Sequence, residues 1–146
     1  MKKIFSLPLF SILLILISVS GFVFSANTED SAVKCAIPKF ERALNQAESV
    51  FVGEVLSQKT EGSTKIFELK VEKFWKGVDD EKITVFVNET FRHQAQFKVG
   101  ESYLVFAEAD DDGKLYDRRC SRTKNMENDF GDLKDDLKKL GKAEIF

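Results

Sequence analysis

The residues able to do chemistry are few, and their spacing does not suit it. The 146-residue chain carries one histidine, His93, and two cysteines, Cys35 and Cys120. A Ser/His/Asp triad would have to use His93, which sits in Phe91-Arg92-His93-Gln94, and no nucleophile-elbow glycine pattern occurs in the sequence. Zinc needs three or four convergent His, Cys or acid ligands, and one His with two cysteines expected to pair with each other does not supply them. Asp110-Asp111-Asp112-Gly113 invites a calcium site but lacks the alternating acids and distal Glu of an EF-hand loop. A hairpin turn accounts for that run. No glycine-rich phosphate loop is present. Arg118, Arg119, Arg122 and Lys124 cluster around Cys120 and could hold an anion, yet Asp110, Asp111, Asp112 and Asp117 offset them, as in a solvated strand end. The expectation is therefore a non-enzymatic protein with no catalytic, metal or cofactor residues.

Composition narrows the class further. With 43% hydrophobic and 32% charged residues, the chain is too apolar to be disordered and too charged to be a multi-span membrane protein. A net charge of -2 argues against nucleic acid as a partner. The averages conceal an unusual beginning. Lys2 and Lys3 precede an uncharged run from Ile4 to Phe24, followed by Ser25, Ala26, Asn27 and the acidic pair Glu29-Asp30. That is the pattern of a secretory signal peptide over residues 1–25, cut before Ala26. The competing reading is an uncleaved anchor, since about 20 apolar residues can span a bilayer; Pro8 and several serines weaken it. The membrane then enters only if this segment is retained. Its removal leaves 20 basic against 24 acidic residues, a charge of -4, with ten of the 14 Phe. In an exported chain an even cysteine pair reads most simply as one disulfide, two buried thiols being the alternative.

The elements that must position these residues run helix, strands, helix. Pro38 can open a short helix whose Phe40, Ala43, Leu44 and Ala47 share one face. Val50 to Leu56 is β-prone and interrupted by Gly53, which marks a bulge or a close approach of backbones. Glu61-Gly62-Ser63 turns it into Thr64–Trp75, where Phe67, Leu69 and Val71 alternate with Glu68, Lys70 and Glu72. A strand over Lys82–Val87, a loop from Asn88 to Gln96 and a strand through Tyr103-Leu104-Val105-Phe106-Ala107 follow. That last run is too apolar to keep one side in water. Leu115 to Arg119 returns after the Asp110 turn, and Met126, Phe130, Leu133, Leu137 and Leu140 make a helical stripe over Asn125–Leu140. Asp132, Asp135 and Asp136 pair with Lys134, Lys138 and Lys139 as helix surface charges. About five short strands and two helices suit a small closed barrel, and the expected class is a mainly β, five-stranded OB-fold with a short N-terminal and a C-terminal helix.

Three segments carry a resemblance. They are Ala47-Glu48-Ser49-Val50-Phe51-Val52-Gly53-Glu54-Val55, Phe67 through Gly77, and Phe97 through Ala107, followed by Leu115 and Cys120-Ser121-Arg122-Thr123. In this order they resemble the bacterial branch of the netrin-like, tissue-inhibitor-of-metalloproteinases-like superfamily. The likeness spans about Cys35 to Leu140 and places the domain at 35–146, after a short segment 26–34. It implies an exported OB-fold and a Cys35–Cys120 disulfide that pins the N-terminal segment to the strand before the last helix. The family often has Cys-X-Cys near its start and a third cysteine in the loop before Phe97; here Val33 and Lys34 precede Cys35, and the loop offers His93. A whole second bridge is thus missing.

The animal inhibitors chelate a protease's zinc through the free amine and carbonyl of an N-terminal cysteine. Cys35 would lie nine residues behind Ala26, so its nitrogen would be an amide without that capacity. The expected function is an exported binding module for a protein or another extracytoplasmic ligand, with metalloendopeptidase inhibition through the N-terminal segment as the alternative. Lys34 before the cysteine, and Arg92 and His93 in the Asn88–Gln96 loop, are the candidate binding surface.

Overall fold

Two strands set the architecture because both of their faces are buried. Strand β1 (Ser49–Glu61) begins with five consecutive buried residues, and β4 (Ser102–Ala109) holds five more from Tyr103 to Ala107. Alternation along each divides them between two cores. Phe51, Val55, Tyr103, Val105 and Ala107 point to one side, joining Phe67, Leu69, Val71, Val85, Val87 and Phe97. Val50, Val52, Leu104 and Phe106 point to the other, beneath Phe40, Ala43, Ala47 and Leu133. Each buried Val, Leu or Phe among them contributes about 1.5–3 kcal/mol through removal from water, and each Ala about 0.8 kcal/mol.

The structure is a computed structural model and describes residues 35–89, 94–128 and 132–146. The expected signal peptide 1–25 and segment 26–34 lie outside the described residues. Helix α1 (Phe40–Gln46) starts two residues after Pro38, with Lys39 at its N-cap. Lys76 Nζ donates to Leu44 O at 3.2 Å and also to Ala47 O, placing a cation on the carbonyl end of the helix. Strand β2 (Thr64–Lys76) returns from β1 through Gly62-Ser63, and β3 (Lys82–Asn88) pairs with β2. A two-residue β5 (Leu115–Tyr116) and β6 (Lys124–Asn125) follow β4, and α2 (Asp132–Leu140) closes the order.

The sheet runs β1-β2-β3-β5-β4-β6, and β1 also pairs with β4, so five strands form a closed ring. All pairings are antiparallel except β3–β5, which is parallel through Val85↔Leu115 and Phe86↔Tyr116. The β1–β4 seam runs from Ser49↔Ala107 to Glu54↔Ser102. Closure leaves β1 and β4 without a free edge where they are most apolar.

Gly53 and Gly77 are required by packing. The register of β1 on β2 shifts between Val52 and Gly53, and a Cβ at Gly53 would lie 3.0 Å from Lys70 O. Gly77 ends β2 at φ +58, where a Cβ would lie 2.1 Å from Glu48 O. Ser49 Oγ donates to Gly77 O at 2.5 Å, drawing the start of β1 onto the end of β2.

Two expected elements differ. The last helix does not begin at Asn125: Lys124 and Asn125 pair with Leu104 and Tyr103 as β6. Met126 N–H donates to Ser102 O, and Glu127 N–H is taken by Asn125 Oδ1, a side-chain turn that competes with helix. Met126 still packs on the outer core, so its apolar character was informative but its helical period was not. The strand expected over Leu115–Arg119 ends at Tyr116, because Asp117 turns inward and the chain reverses at Arg118–Ser121.

Candidate functional site

A groove beside the disulfide is lined in part by cations that make no ion pair among the described residues. Cys35 and Cys120 are bonded, with Cα atoms 5.4 Å apart. Cys120 sits in the turn closed by Ser121 N–H donating to Arg118 O at 3.1 Å, and its φ of +60 lies in the left-handed region. A non-glycine residue is held there at a cost of about 1–2 kcal/mol, met by the surrounding structure. A second tether backs the first: Arg122 Nη1 donates to Pro38 O at 2.9 Å. The segment Cys35–Lys39 is thereby fixed along the 118–122 turn.

The groove encloses about 530 Å³. Its charged lining is Lys39 and Arg42 from the start of α1, Arg118 and Arg119 from the turn, and Glu108 from β4. Ala36, Ile37 and Pro38 supply apolar surface, Ile37 being 54% exposed. Arg118 has company: Glu108 lies 3.8 Å from its Nε, and its guanidinium stacks 5.0 Å from the Tyr116 ring. Lys39, Arg42 and Arg119 are exposed and make no ion pair among the described residues.

The other charged groups near Cys120 are engaged internally. Asp136 is fully buried and accepts from Arg122 Nε and Nη2, each at 2.7 Å, and from Lys124 Nζ at 3.2 Å. The planar fork of Arg122 matches the carboxylate and holds α2 on the turn. This corrects the placement of Asp136 among helix surface charges and of Arg122 and Lys124 in a solvated cluster. Leu133, Asp136, Leu137 and Leu140 occupy one helical stripe, so position 136 was marked as inward-facing by its spacing.

Asp117 was likewise read as a surface counter-charge and is fully buried. Its Oδ1 accepts from Ser121 Oγ at 2.6 Å and its Oδ2 from Ala95 N–H at 3.0 Å, while Gln94 Nε2 donates to its backbone carbonyl. Burial pushes this carboxyl above its ordinary value, although the donors from Ser121, Thr123 and Ala95 oppose the shift.

A second concavity of about 450 Å³ contains Tyr103, Glu101, Lys98 and Asn125. Tyr103 Oη lies 2.8 Å from Glu101 Oε2 and accepts from Lys98 N–H at 3.0 Å. The phenol's hydrogen bond is the first cause holding Glu101 below the usual carboxylate range; burial, then Glu101 itself, raises Tyr103. An ionised acid and a neutral phenol bound to each other staple the 97–103 turn and offer no free base. At the Asp110 turn, Oδ1 accepts from Asp112 N–H and Lys114 N–H, the arrangement of a side-chain-capped hairpin.

The proposed surface residues Lys34, Arg92 and His93 lie outside the described residues. Within them, sequence reasoning noticed Arg118 and Arg119 but missed Lys39 and Arg42, which the Cys35–Cys120 bond and the Arg122–Pro38 hydrogen bond bring to the same groove. No protein-family model matches the chain, and no curated protein matches it.

Proposed function

We propose that the chain is an exported, non-enzymatic binding module built on an OB-fold of the netrin-like type, taking its ligand beside the Cys35–Cys120 disulfide. The observation that carries this reading is the division of charge. The buried acids Asp117 and Asp136, with the Glu101–Tyr103 pair, are engaged in internal bonds, whereas Lys39, Arg42 and Arg119 line a groove whose one acid, Glu108, lies against Arg118, and they make no ion pair among the described residues. Internal bonds of this kind hold a scaffold, and free cations around a concavity recognise a ligand. The closed ring order β1-β2-β3-β5-β4 with a parallel β3–β5 contact supports the OB-fold assignment. The disulfide supports an oxidising compartment.

Metalloendopeptidase inhibition through the N-terminal segment is the second reading, favoured by Ala36 and Ile37, both exposed directly after Cys35. It requires Cys35 to become the terminus. N-terminal sequencing of the exported protein separates the two, because a start at Ala26 or Asn27 removes the chelating amine. The binding reading predicts partner capture from the extracytoplasmic fraction by the mature protein and no hydrolase activity. Turnover of any ester, peptide or glycoside in a broad screen would overturn it.

A further inference from the structure

We infer that the groove beside the disulfide takes a short acidic peptide segment that also carries an aliphatic or aromatic side chain. This rests on the binding-module reading and names its ligand class. Arg42 and Lys39 from the start of α1 and Arg119 from the 118–122 turn line one groove, whose single acid, Glu108, lies against Arg118, so carboxylates at successive or alternate positions of an extended peptide can be met from both elements. Guanidinium forks suit planar carboxylates, which they bind through paired hydrogen bonds.

The apolar surface discriminates further. Ile37 is 54% exposed beside Ala36 and Pro38, within reach of the same ligand. A sulfated glycan or a polyphosphate would leave that surface against water, whereas a peptide with an apolar side chain covers it. Length is restricted by charge. The region 26–146 has a net charge of -4, so a long polyanion would be repelled once it extended past the groove, over roughly the 8 Å Debye length at physiological salt. The cations are a local exception on an acidic molecule, and they select a short ligand.

The test uses the mature oxidised protein and three probes: a capped hexapeptide of Glu and Leu, its Gln-for-Glu counterpart, and a sulfated oligosaccharide of equal charge. Calorimetric titration is run at low and physiological salt, with amide shifts read by NMR. The expected result is binding of the acidic peptide alone or most tightly, with shifts at residues 37–42 and 118–121. Affinity should fall about tenfold in Arg42→Ser with Arg119→Ser, both exposed positions whose replacement leaves the cores intact. Ile37→Ser should weaken the acidic peptide without changing the salt dependence. Tighter binding of the sulfated oligosaccharide, equal binding of the Gln peptide, or indifference to the double substitution would each overturn the inference. Capture of a partner that survives the double substitution would leave the binding-module reading intact while removing the acidic ligand; hydrolase activity would remove that reading itself.

Discussion

Removing the disulfide tests the tie between covalent topology and fold. Cys35 and Cys120 are 85 positions apart, and the chain-entropy relation gives about 4.6 kcal/mol for closing so long a loop in the unfolded state. Replacing both by Ala should therefore lower stability by up to about 4.6 kcal/mol, or about 15–20 °C in Tm for a domain of this size. The folded state should survive, because Phe40 and Ala43 keep α1 in the outer core and Arg122 still holds Pro38. A second variant, Cys35→Ala with Cys120→Gly, sharpens the test. Position 120 sits at φ +60, where Gly is relaxed and Ala strained, so the Gly variant should be the more stable of the two by about 1 kcal/mol. Urea unfolding followed by fluorescence of Trp75, the single tryptophan, measures both differences. The m-value should rise as the unfolded chain expands, and unchanged amide shifts over Phe40–Gln46 in the folded variants would show that α1 stays docked. A loss below about 1 kcal/mol for the Ala pair would refute the entropy argument, and Ala at 120 more stable than Gly would refute the strain at Cys120.

Three further outcomes follow from named contacts. Gly77→Ala should cost at least about 2 kcal/mol, since its Cβ would meet Glu48 O at 2.1 Å, whereas Gly62→Ala, with the same sign of φ but open space, should cost about 1 kcal/mol; comparable values by urea titration would contradict the close approach. Asp136→Asn should cost about 3–5 kcal/mol by stranding Arg122, and Arg122→Met with Asp136→Leu should recover much of it, so a double variant as unstable as the single one counts against charge burial as the cause. Asp117, raised by burial, binds its proton more tightly folded than unfolded. Its contribution is complete below the unfolded value of about 3.9 and is lost as pH rises through the higher folded value. Asp117→Asn should flatten that fall in chemical-denaturation profiles, and an unchanged slope would exclude Asp117 as its source.

Much of the fold was legible because the strands state their burial. The continuous apolar run Tyr103–Ala107 announced a strand covered on both faces, Val50–Leu56 announced a strand without saying that both its faces are buried, and Phe67-Leu69-Val71 announced one covered on a single face. Gly53 and the Gly62 turn stood where a bulge and a hairpin occur. What failed was the chain after Asp117, where side-chain hydrogen bonds compete with periodicity. Asn125 and Asp117 direct the backbone through their own carbonyl and carboxylate groups, and a pattern of apolar residues cannot report that. The charged cluster was seen as one surface group because spacing does not reveal that Asp136 draws Arg122 and Lys124 inward and leaves Arg119 outside.

The β1–β4 seam also dictates an order of events as the chain is made. The β1–β2 hairpin emerges first, with Val50, Phe51, Val52 and Val55 uncovered. Its open edge waits for Leu104 and Phe106, whose partners on β1 are Val52 and Val50. During that interval the apolar first half of β1 is a template for any extended segment nearby, including another nascent copy. The arrival of β4 ends that vulnerability by making the exposed edge the closure of the ring.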